Sequence, residues 1–392
     1  MKITNYKRVH LSFSAIACNY RSEVANISEL SKSSKGFTLI ELMITLVLGL
    51  LISAAALQIF YTSSLNSRRQ EASSQIQDNA IFGFSQIQQH LRRANYGAKS
   101  TSTNDEFFMN HLTPQGGVVL TAPSGVVPVT TPPTPVSWLQ GNLSGLVLNS
   151  AAIPATLLSK NASSNSISNL KDVANSDQLT IQYRSDIEGT FNCEGVAIPK
   201  GFYVIERYFV RMDSTVTPAA TGLACASAIY DYNQTAAGSI EGINIATYTV
   251  PAIAATTDPV APAVPATVKD NSLAGSGTII IPNVDYFRAT LGISSDRDFA
   301  TDPKNINIAY VPIPSVTEFA TILNKRRIVS IQIGILARSD NPTITAQTNN
   351  QLKFTVLDKV NQSLNPAAVA GPTYLYNTYV STILLRNARG GL

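Results

Sequence analysis

The most informative stretch of this chain is FTLIELMITLVLGLLISAAALQIF, residues 37–60, an almost uncharged apolar run. As a helix at about 1.5 Å per residue it reaches roughly 36 Å, which is enough to cross a bilayer core of about 30 Å. Lys32 and Lys35 lie just ahead of it, and Glu41 is its only charged residue. The positive-inside rule therefore predicts residues 1–36 in the cytoplasm and the rest of the chain outside.

A cleaved secretory signal is the first alternative for this segment. Its apolar region would be about 7–15 residues long and would end at a small-residue cleavage site. Residues 37–60 form a longer run that continues into a patterned helix, so a membrane helix explains them better.

The positive charge of the chain is concentrated at its start. The net charge is +4, and residues 1–36 hold six basic and two acidic residues, so residues 37–392 are balanced. Because residues 37–392 carry no net charge, there is no general reason for them to bind nucleic acid or anionic lipid. Three cysteines and three histidines exclude a dense disulfide scaffold and a histidine-rich metal site.

Glu41 needs an explanation because a carboxylate at mid-membrane costs about 2.5–3.5 kcal/mol. By position alone, two interpretations stay open: a functional carboxylate, or one that simply reaches the cytoplasmic interface.

The sequence KGFTLIEL at residues 35–42 resembles the class III signal of type IV prepilins and pseudopilins. The resemblance implies that a prepilin peptidase cuts after Gly36 and methylates the new N-terminus, Phe37. It also implies that Glu41 pairs with the N-terminal amine of a neighbouring subunit during assembly. An ammonium and a carboxylate in the membrane cost less together than apart. The leader is long for that class, so translation could also begin nearer Leu30.

Beyond the membrane segment, residues 61–97 predict the amphipathic half of the same helix, which we expect to run from about 37 to 96 and to stop at Gly97. Spacings of three and four place apolar residues on one face. These are Leu65, Ala72, Ile76, Ala80, Phe84, Ile87, Leu91 and Ala94. For Arg92 and Arg93 a solvated face or a nearby carboxylate is expected rather than a nucleic-acid contact.

Residues 98–392 lack helical periodicity and predict a β-rich head. Alternating apolar and polar residues indicate strands in the segments 179–183, 202–211, 284–291, 306–311, 329–335, 352–357 and 374–385. No long crossover helices separate them, so the fold class is α+β with a mainly antiparallel sheet. The Pro/Thr-rich stretches 113–136 and 249–268 predict loops or extended surface insertions.

The cysteine positions agree with this topology. Cys18 lies in the predicted leader, whereas Cys193 and Cys225 lie outside the cytoplasm, where oxidation is allowed. A disulfide between them is predicted, and two buried free thiols are the alternative.

Several separate sequence segments of the head are similar to the PilW family of minor pilins. They are residues 176–183, 284–298, 328–339 and 379–387. The resemblance implies a pilin-like, non-enzymatic protein held in the bacterial inner membrane by one helix, with its C-terminus in the periplasm, and displayed on the pilus after assembly. Its implied partners are prepilin peptidase, other minor pilins, the major pilin and the inner-membrane assembly platform, with roles in twitching motility, adhesion and DNA uptake. A type II secretion pseudopilin and a pilus-tip adhesin are the alternatives.

No catalytic constellation emerges from the sequence. The usual hydrolase, nucleotide-binding and zinc motifs are absent, and His90 and His111 have no second ligand at suitable spacing. Asp296, Asp298 and Asp302 suit a turn better than a calcium site, and the basic cluster at residues 325–327 suits a solvated loop. We therefore expect no enzyme, cofactor, metal or small-molecule substrate, and no direct nucleic-acid binding.

Overall fold

The computed structural model describes residues 36–97, 109–123, 141–217, 219–232, 242–257, 260–294, 307–323, 326–343, 352–365 and 373–387. The chain divides into two compact units, Met1–Phe60 and Tyr61–Leu392. The predicted leader, apart from Gly36, lies outside the described residues, as do Asp296, Asp298, Asp302 and Lys325.

A long helix, α1, spans Leu39–Leu91 and confirms the predicted N-terminal helix. It ends five residues before the predicted position because residues 92–97 turn instead. Asn95 has a left-handed backbone with φ 68°, and its N–H donates to the Gln182 carbonyl at 3.0 Å. A left-handed residue cannot continue a right-handed helix. Gly97, at φ 68°, completes the turn.

In the first unit, the apolar part of α1 is exposed on all sides. The large hydrophobic residues from Leu39 to Phe60 are all more than half exposed. An 18-residue window of α1 has a mean hydropathy of 2.4, and by length and composition the helix can cross a membrane. A helix that is apolar all round is stable only in lipid or among other apolar helices.

In the second unit, α1 buries one face against the head. The buried residues are Ala72, Ile76, Ala80, Gly83, Phe84, Ile87, His90 and Leu91. This confirms most of the predicted stripe, although Leu65 is only half-buried. Ile76, Phe84 and Ile87 share one hydrophobic core with residues of the two main sheets.

The head is built from nineteen strands of very different length, numbered along the chain. The strands are β1 (Gly117–Val118), β2 (Leu146–Val147), β3 (Leu179–Arg184), β4 (Thr190–Phe191), β5 (Ala197–Ile198), β6 (Tyr203–Asp213), β7 (Ala220–Tyr230), β8 (Ile243–Asn244), β9 (Thr247–Val250), β10 (Thr256–Thr257), β11 (Val260–Ala261), β12 (Thr267–Asp270), β13 (Thr278–Pro282), β14 (Val284–Ser294), β15 (Ile308–Pro312), β16 (Ile328–Arg338), β17 (Phe354–Val356), β18 (Lys359–Gln362) and β19 (Tyr376–Leu384), all within the described ranges. Short 3-10 helices occupy Ala155–Leu157 and Val316–Glu318, and a π-helical turn occupies Phe319–Leu323.

Two sheets form the core of the head. One has the order β1-β3-β6-β7-β13 and the other β15-β14-β16-β19. Both are antiparallel throughout, which confirms the predicted sheet type, and the short β2–β8 pair is parallel.

The predicted strands occur, but the inner strand β7 and its neighbour β13 were missed. The β7 sequence, ATGLACASAIY, is rich in alanine, and only Thr221, Ile229 and Tyr230 belong to the β-branched and aromatic residues typical of strands. Its residues from Thr221 onward are nevertheless buried, and Gly222 lies close to Ile279 and to the Ile281 carbonyl. A small residue is needed at position 222 because an added Cβ would crowd Ile279 and the Ile281 carbonyl of the adjacent strand β13.

The prediction of surface loops was wrong for part of 113–136. Val118, Val119 and Leu120 are buried, and β1 pairs with β3, because this segment forms the edge strand of the five-stranded sheet. Residues 124–136 lie outside the described part. The described residues of 249–268 include paired strands, with Ile253 opposite Val264 and both side chains exposed.

The predicted solvated basic loop at residues 325–327 was wrong for Arg327, which is buried. Two backbone hydrogen bonds, at Arg327 and at the next residue, attach this segment to the head. The Ser294 N–H donates to the Arg327 carbonyl at 3.0 Å, and the Ile328 N–H donates to the Met109 carbonyl at 2.8 Å.

Gly83 permits a close approach between α1 and the head. An added Cβ would lie 2.2 Å from the Ile281 Cγ1 atom, and Ile281 on β13 is fully buried. Glycine is unfavourable in a helix by about 0.5–1 kcal/mol relative to alanine, so packing explains its presence.

We expect Gly83→Ala to lower the free energy of unfolding by about 1–3 kcal/mol, against its better helix propensity, because the methyl group overpacks this contact. Thermal unfolding measured by circular dichroism would test it, with Ser85→Ala on the exposed side of α1 as the control. The double variant Gly83→Ala/Ile281→Val should recover part of the loss; no coupling between the two sites would contradict the packing explanation.

Candidate functional site

The predicted cleavage position lies in open space just ahead of α1. An added Cβ at Gly36 would meet no atom within 4 Å, and the Phe37 side chain is 81% exposed. Residues 36–38 are outside any helix or strand. The described chain here is therefore accessible on both sides of the Gly36–Phe37 bond.

Thr38 and Glu41 shape the first turn of α1. The Glu41 N–H lies 3.3 Å from Thr38 Oγ1 and 3.1 Å from the Thr38 carbonyl, and the Leu42 N–H donates to that carbonyl at 3.2 Å. Thr38 is thus the N-cap, and Glu41 is the third helical residue, which is the spacing of a capping box. A carboxylate in the first turn also interacts favourably with the helix dipole.

The second unit holds its part of α1 through a buried carboxylate, Glu206, at the centre of β6. Glu206 is fully buried, and His90 of α1 places Nδ1 at 2.9 Å from its Oε1 atom. The Tyr183 hydroxyl and the Cys193 N–H donate to Oε1, each at 2.9 Å, and the Tyr208 hydroxyl donates to Oε2 at 2.8 Å. One side chain therefore connects the helix, two strands and the loop after β4.

The environment of Glu206 keeps its carboxyl ionised. Burial alone would raise its pKa, but the His90 side chain and the hydrogen bonds from Tyr208 and Tyr183 outweigh burial and hold the pKa below its usual 4.5. Burial and the adjacent carboxylate raise the pKa of Tyr183 and of Tyr208 well above 10, so both tyrosines stay neutral donors.

Cys193 and Cys225 form a disulfide with a Cα–Cα distance of 6.2 Å. Cys225 lies on β7 opposite Tyr208 of β6, so the bond fastens the loop after β4 beside Glu206. The two cysteines are 32 residues apart in the sequence. In the chain-entropy model, closing the loop between them stabilises the fold by about 3–4 kcal/mol.

The structure brings some predicted site residues together and separates others. Gly36, Phe37 and Glu41 share the start of α1, and the cysteines lie in the head. His111 packs against Phe319 with ring centroids 4.9 Å apart, and burial lowers its pKa. Within the described residues, no group of three histidine, cysteine or acidic side chains could hold a metal ion.

Sequence reasoning missed the Glu206 cluster, although it left a signal. His90 follows Ile87 by three residues on the apolar stripe, and Glu206 alternates with Val204 and Tyr208 on the buried face of β6. A charged residue at a core position of a strand implies a buried partner, because an unpaired buried charge is costly.

Replacing Glu206 by glutamine should lower the free energy of unfolding by about 3 kcal/mol, because the amide cannot accept from all the donors aimed at it. Chemical denaturation of the detergent-solubilised protein would measure this, with the exposed Glu188→Gln as a matched control. Because the folded pKa of Glu206 is lowered, its stabilisation is complete above about pH 4.5 and is lost as the pH falls through the folded value. The difference between wild type and variant should therefore shrink in acid; a constant difference would argue against an ionised Glu206.

Comparison with known proteins gives two family matches. Residues 247–387, from β9 to just beyond β19, match the family of type IV pilus-assembly protein W, and residues 31–57 match the prokaryotic N-terminal methylation motif. Among solved structures, a type IV-like pilin from Thermus thermophilus is similar at 9% identity, over 54% of this chain and 80% of its own, with a TM-score of 0.23. No curated protein matches the chain. The chain therefore combines a segment similar to the prokaryotic N-terminal methylation motif with a C-terminal part of the head that is similar to type IV pilus-assembly protein W.

Proposed function

We propose that this protein is a minor pilin that primes the assembly of type IV pili and is incorporated into them, near the tip. The observation that carries the proposal is the division of α1 into an apolar part exposed on every side and an amphipathic part packed on the head. The methylation motif and the match to pilus-assembly protein W support it.

The physical requirement comes from the apolar part of α1. It needs lipid before assembly, when the protein is anchored in the inner membrane with its head in the periplasm. On extraction, helices of neighbouring subunits must replace the lipid, because exposure to water costs about 25 cal/mol per Å² of apolar surface. The amphipathic part stays with the head, since the contacts of Ile87, His90 and Leu91 fix it there.

Glu41 supplies the proposed register signal between subunits. Once the prepilin peptidase cuts after Gly36, Phe37 carries a methylated ammonium, and Glu41 of a neighbouring subunit pairs with it. The capped first turn holds the Glu41 backbone in a fixed position, so the carboxylate is presented at a defined height along the helix. The other proposed partners are the major pilin, further minor pilins and the assembly platform.

Substitution of Gly36 by valine should block processing while leaving the fold intact, because the position has open space around it. Mass spectrometry of the membrane-bound protein should then show the precursor in place of the mature form that begins at Phe37. Gly49→Ala, also in open space, is the matched control and should be processed normally. A mature Gly36→Val protein would overturn this cleavage site.

Substitution of Glu41 by alanine should leave cleavage intact but reduce incorporation into sheared pili at least tenfold, because an unpaired ammonium would stay in the apolar assembly. Immunoblots of sheared fibres and of membranes would measure both effects. Glu71→Ala, an exposed glutamate further along α1, removes the same charge and should incorporate normally. Equal incorporation of both variants would refute the assembly role of Glu41.

A clean deletion strain separates the proposed function from its alternatives. Loss of surface pilin with normal protein secretion supports a priming minor pilin. Normal piliation with failed secretion would identify a type II secretion pseudopilin instead. If both are normal while attachment to surfaces falls, the protein is an adhesin at the pilus tip.

A further inference from the structure

A cleft with four arginines lies where α1 ends on the head. It has a volume of roughly 320 Å³, and its charged lining consists of Arg92, Arg93, Arg184 and Arg386 against a single carboxylate, Asp186, among the described residues. These arginines come from three separate parts of the chain: the turn after α1, the end of β3 and the segment after β19.

Hydrogen bonds between these elements hold the cleft in shape. The Asn95 side chain donates to the Asn387 carbonyl at 2.6 Å, and the Asn387 side chain donates to the Arg92 carbonyl at 3.2 Å. The backbone N–H of Arg184 donates to the Tyr96 carbonyl at 2.8 Å, and this bond joins the turn to β3. A site built in this way needs little reorganisation to bind a ligand.

Two of the arginines already have partners inside the head. Arg93 donates to the Phe191 carbonyl at 3.3 Å and lies 5.8 Å from the centre of the Tyr183 ring. Arg184 pairs with Asp186 at 3.1 Å and donates to the Gly201 carbonyl at 3.1 Å. Their positions are therefore fixed.

The other two arginines have unused donors. Arg92 and Arg386 are exposed, and their guanidinium groups make no hydrogen bond or ion pair within the part of the chain that the structure describes. Favourable interaction with the C-terminal end of α1 explains Arg92 and Arg93, but Arg386 arrives from the far end of the sequence. Each guanidinium offers five N–H donors in a fork that matches a carboxylate.

The walls and size of the cleft favour an acidic peptide over a polynucleotide. Exposed Tyr96 and Ile187 supply apolar surface beside the arginines. The volume lies at the lower end of the roughly 300–1,000 Å³ typical of ligand pockets and accommodates a few side chains. Polynucleotides need an extended positive track, whereas the charges of residues 37–392 balance.

We infer that this arginine cleft binds an acidic peptide segment of a partner protein. Arg92 and Arg386 bind its carboxylates, and Tyr96 and Ile187 pack against an adjacent apolar residue. This inference goes beyond pilus assembly and does not depend on it, since the cleft belongs entirely to the head.

Isothermal titration of the full-length protein in non-ionic detergent tests the inference. The probe is a capped hexapeptide that alternates glutamate and leucine, compared with the same peptide carrying glutamine. We expect binding of the glutamate peptide alone, and its weakening as salt is raised. The variant Arg92→Gln/Arg386→Gln should bind at least about tenfold more weakly.

The control variant Lys160→Gln/Lys171→Gln removes the same charge from exposed positions elsewhere on the head and should bind like wild type. Near-ultraviolet circular dichroism verifies that both variants are folded. No binding of the glutamate peptide to wild type, or equal loss in the control variant, would overturn the inference. Tighter binding of an oligothymidylate, abolished by the same arginine changes, would overturn the choice of ligand and identify a single-stranded nucleic acid instead.

Discussion

The ionised carboxylate of Glu206, buried beneath α1, is the constraint on which the arrangement of the head depends. A buried charge is tolerated only when other groups replace its hydration. Here three hydrogen bonds and the nearby His90 imidazole, all from separate segments, surround the carboxylate. The charge becomes under-solvated if any of its partners is displaced, namely His90, Tyr183, Tyr208 or the Cys193 backbone. The positions of the helix, the five-stranded sheet and the disulfide loop are therefore specified together. Apolar packing alone would tolerate small shifts between these segments, whereas the directional contacts to one carboxylate do not.

The same helix meets two different surroundings along its length. Residues 39–60 are apolar and exposed on every side, and the residues buried from Ala72 to Leu91 follow one stripe. One half of the helix is therefore suited to lipid or to other apolar helices, while the other half is fixed to a folded head. The capped start at Thr38 and the left-handed turn at Asn95 limit the helix to this span.

The end of α1 has a further consequence for the surface of the head. Because Asn95 turns the chain toward β3 and bonds to Asn387, residues that are nearly three hundred positions apart converge on one cleft. Arginines that would be ordinary surface residues singly thereby become a concentrated positive site on a head without excess charge. Elsewhere in the head, β9 pairs with β12, and most of the described side chains of these two strands are exposed.

Local sequence patterns were enough to predict several features: the apolar run at 37–60, the stripe from Ala72 to Leu91, the alternating strands such as β3 and β16, and the motif around Gly36 and Glu41. These follow from helix and strand periodicity or from adjacent residues, which a linear chain displays directly. The remaining features depend on contacts between segments that are far apart in the chain. The alanine-rich β7 is an inner strand that lies close to its neighbour β13, and Val118–Leu120 is buried because it joins the edge of a sheet. The Glu206 cluster and the arginine cleft exist because distant segments meet. Such contacts depend on which faces pack together, and no local pattern encodes that.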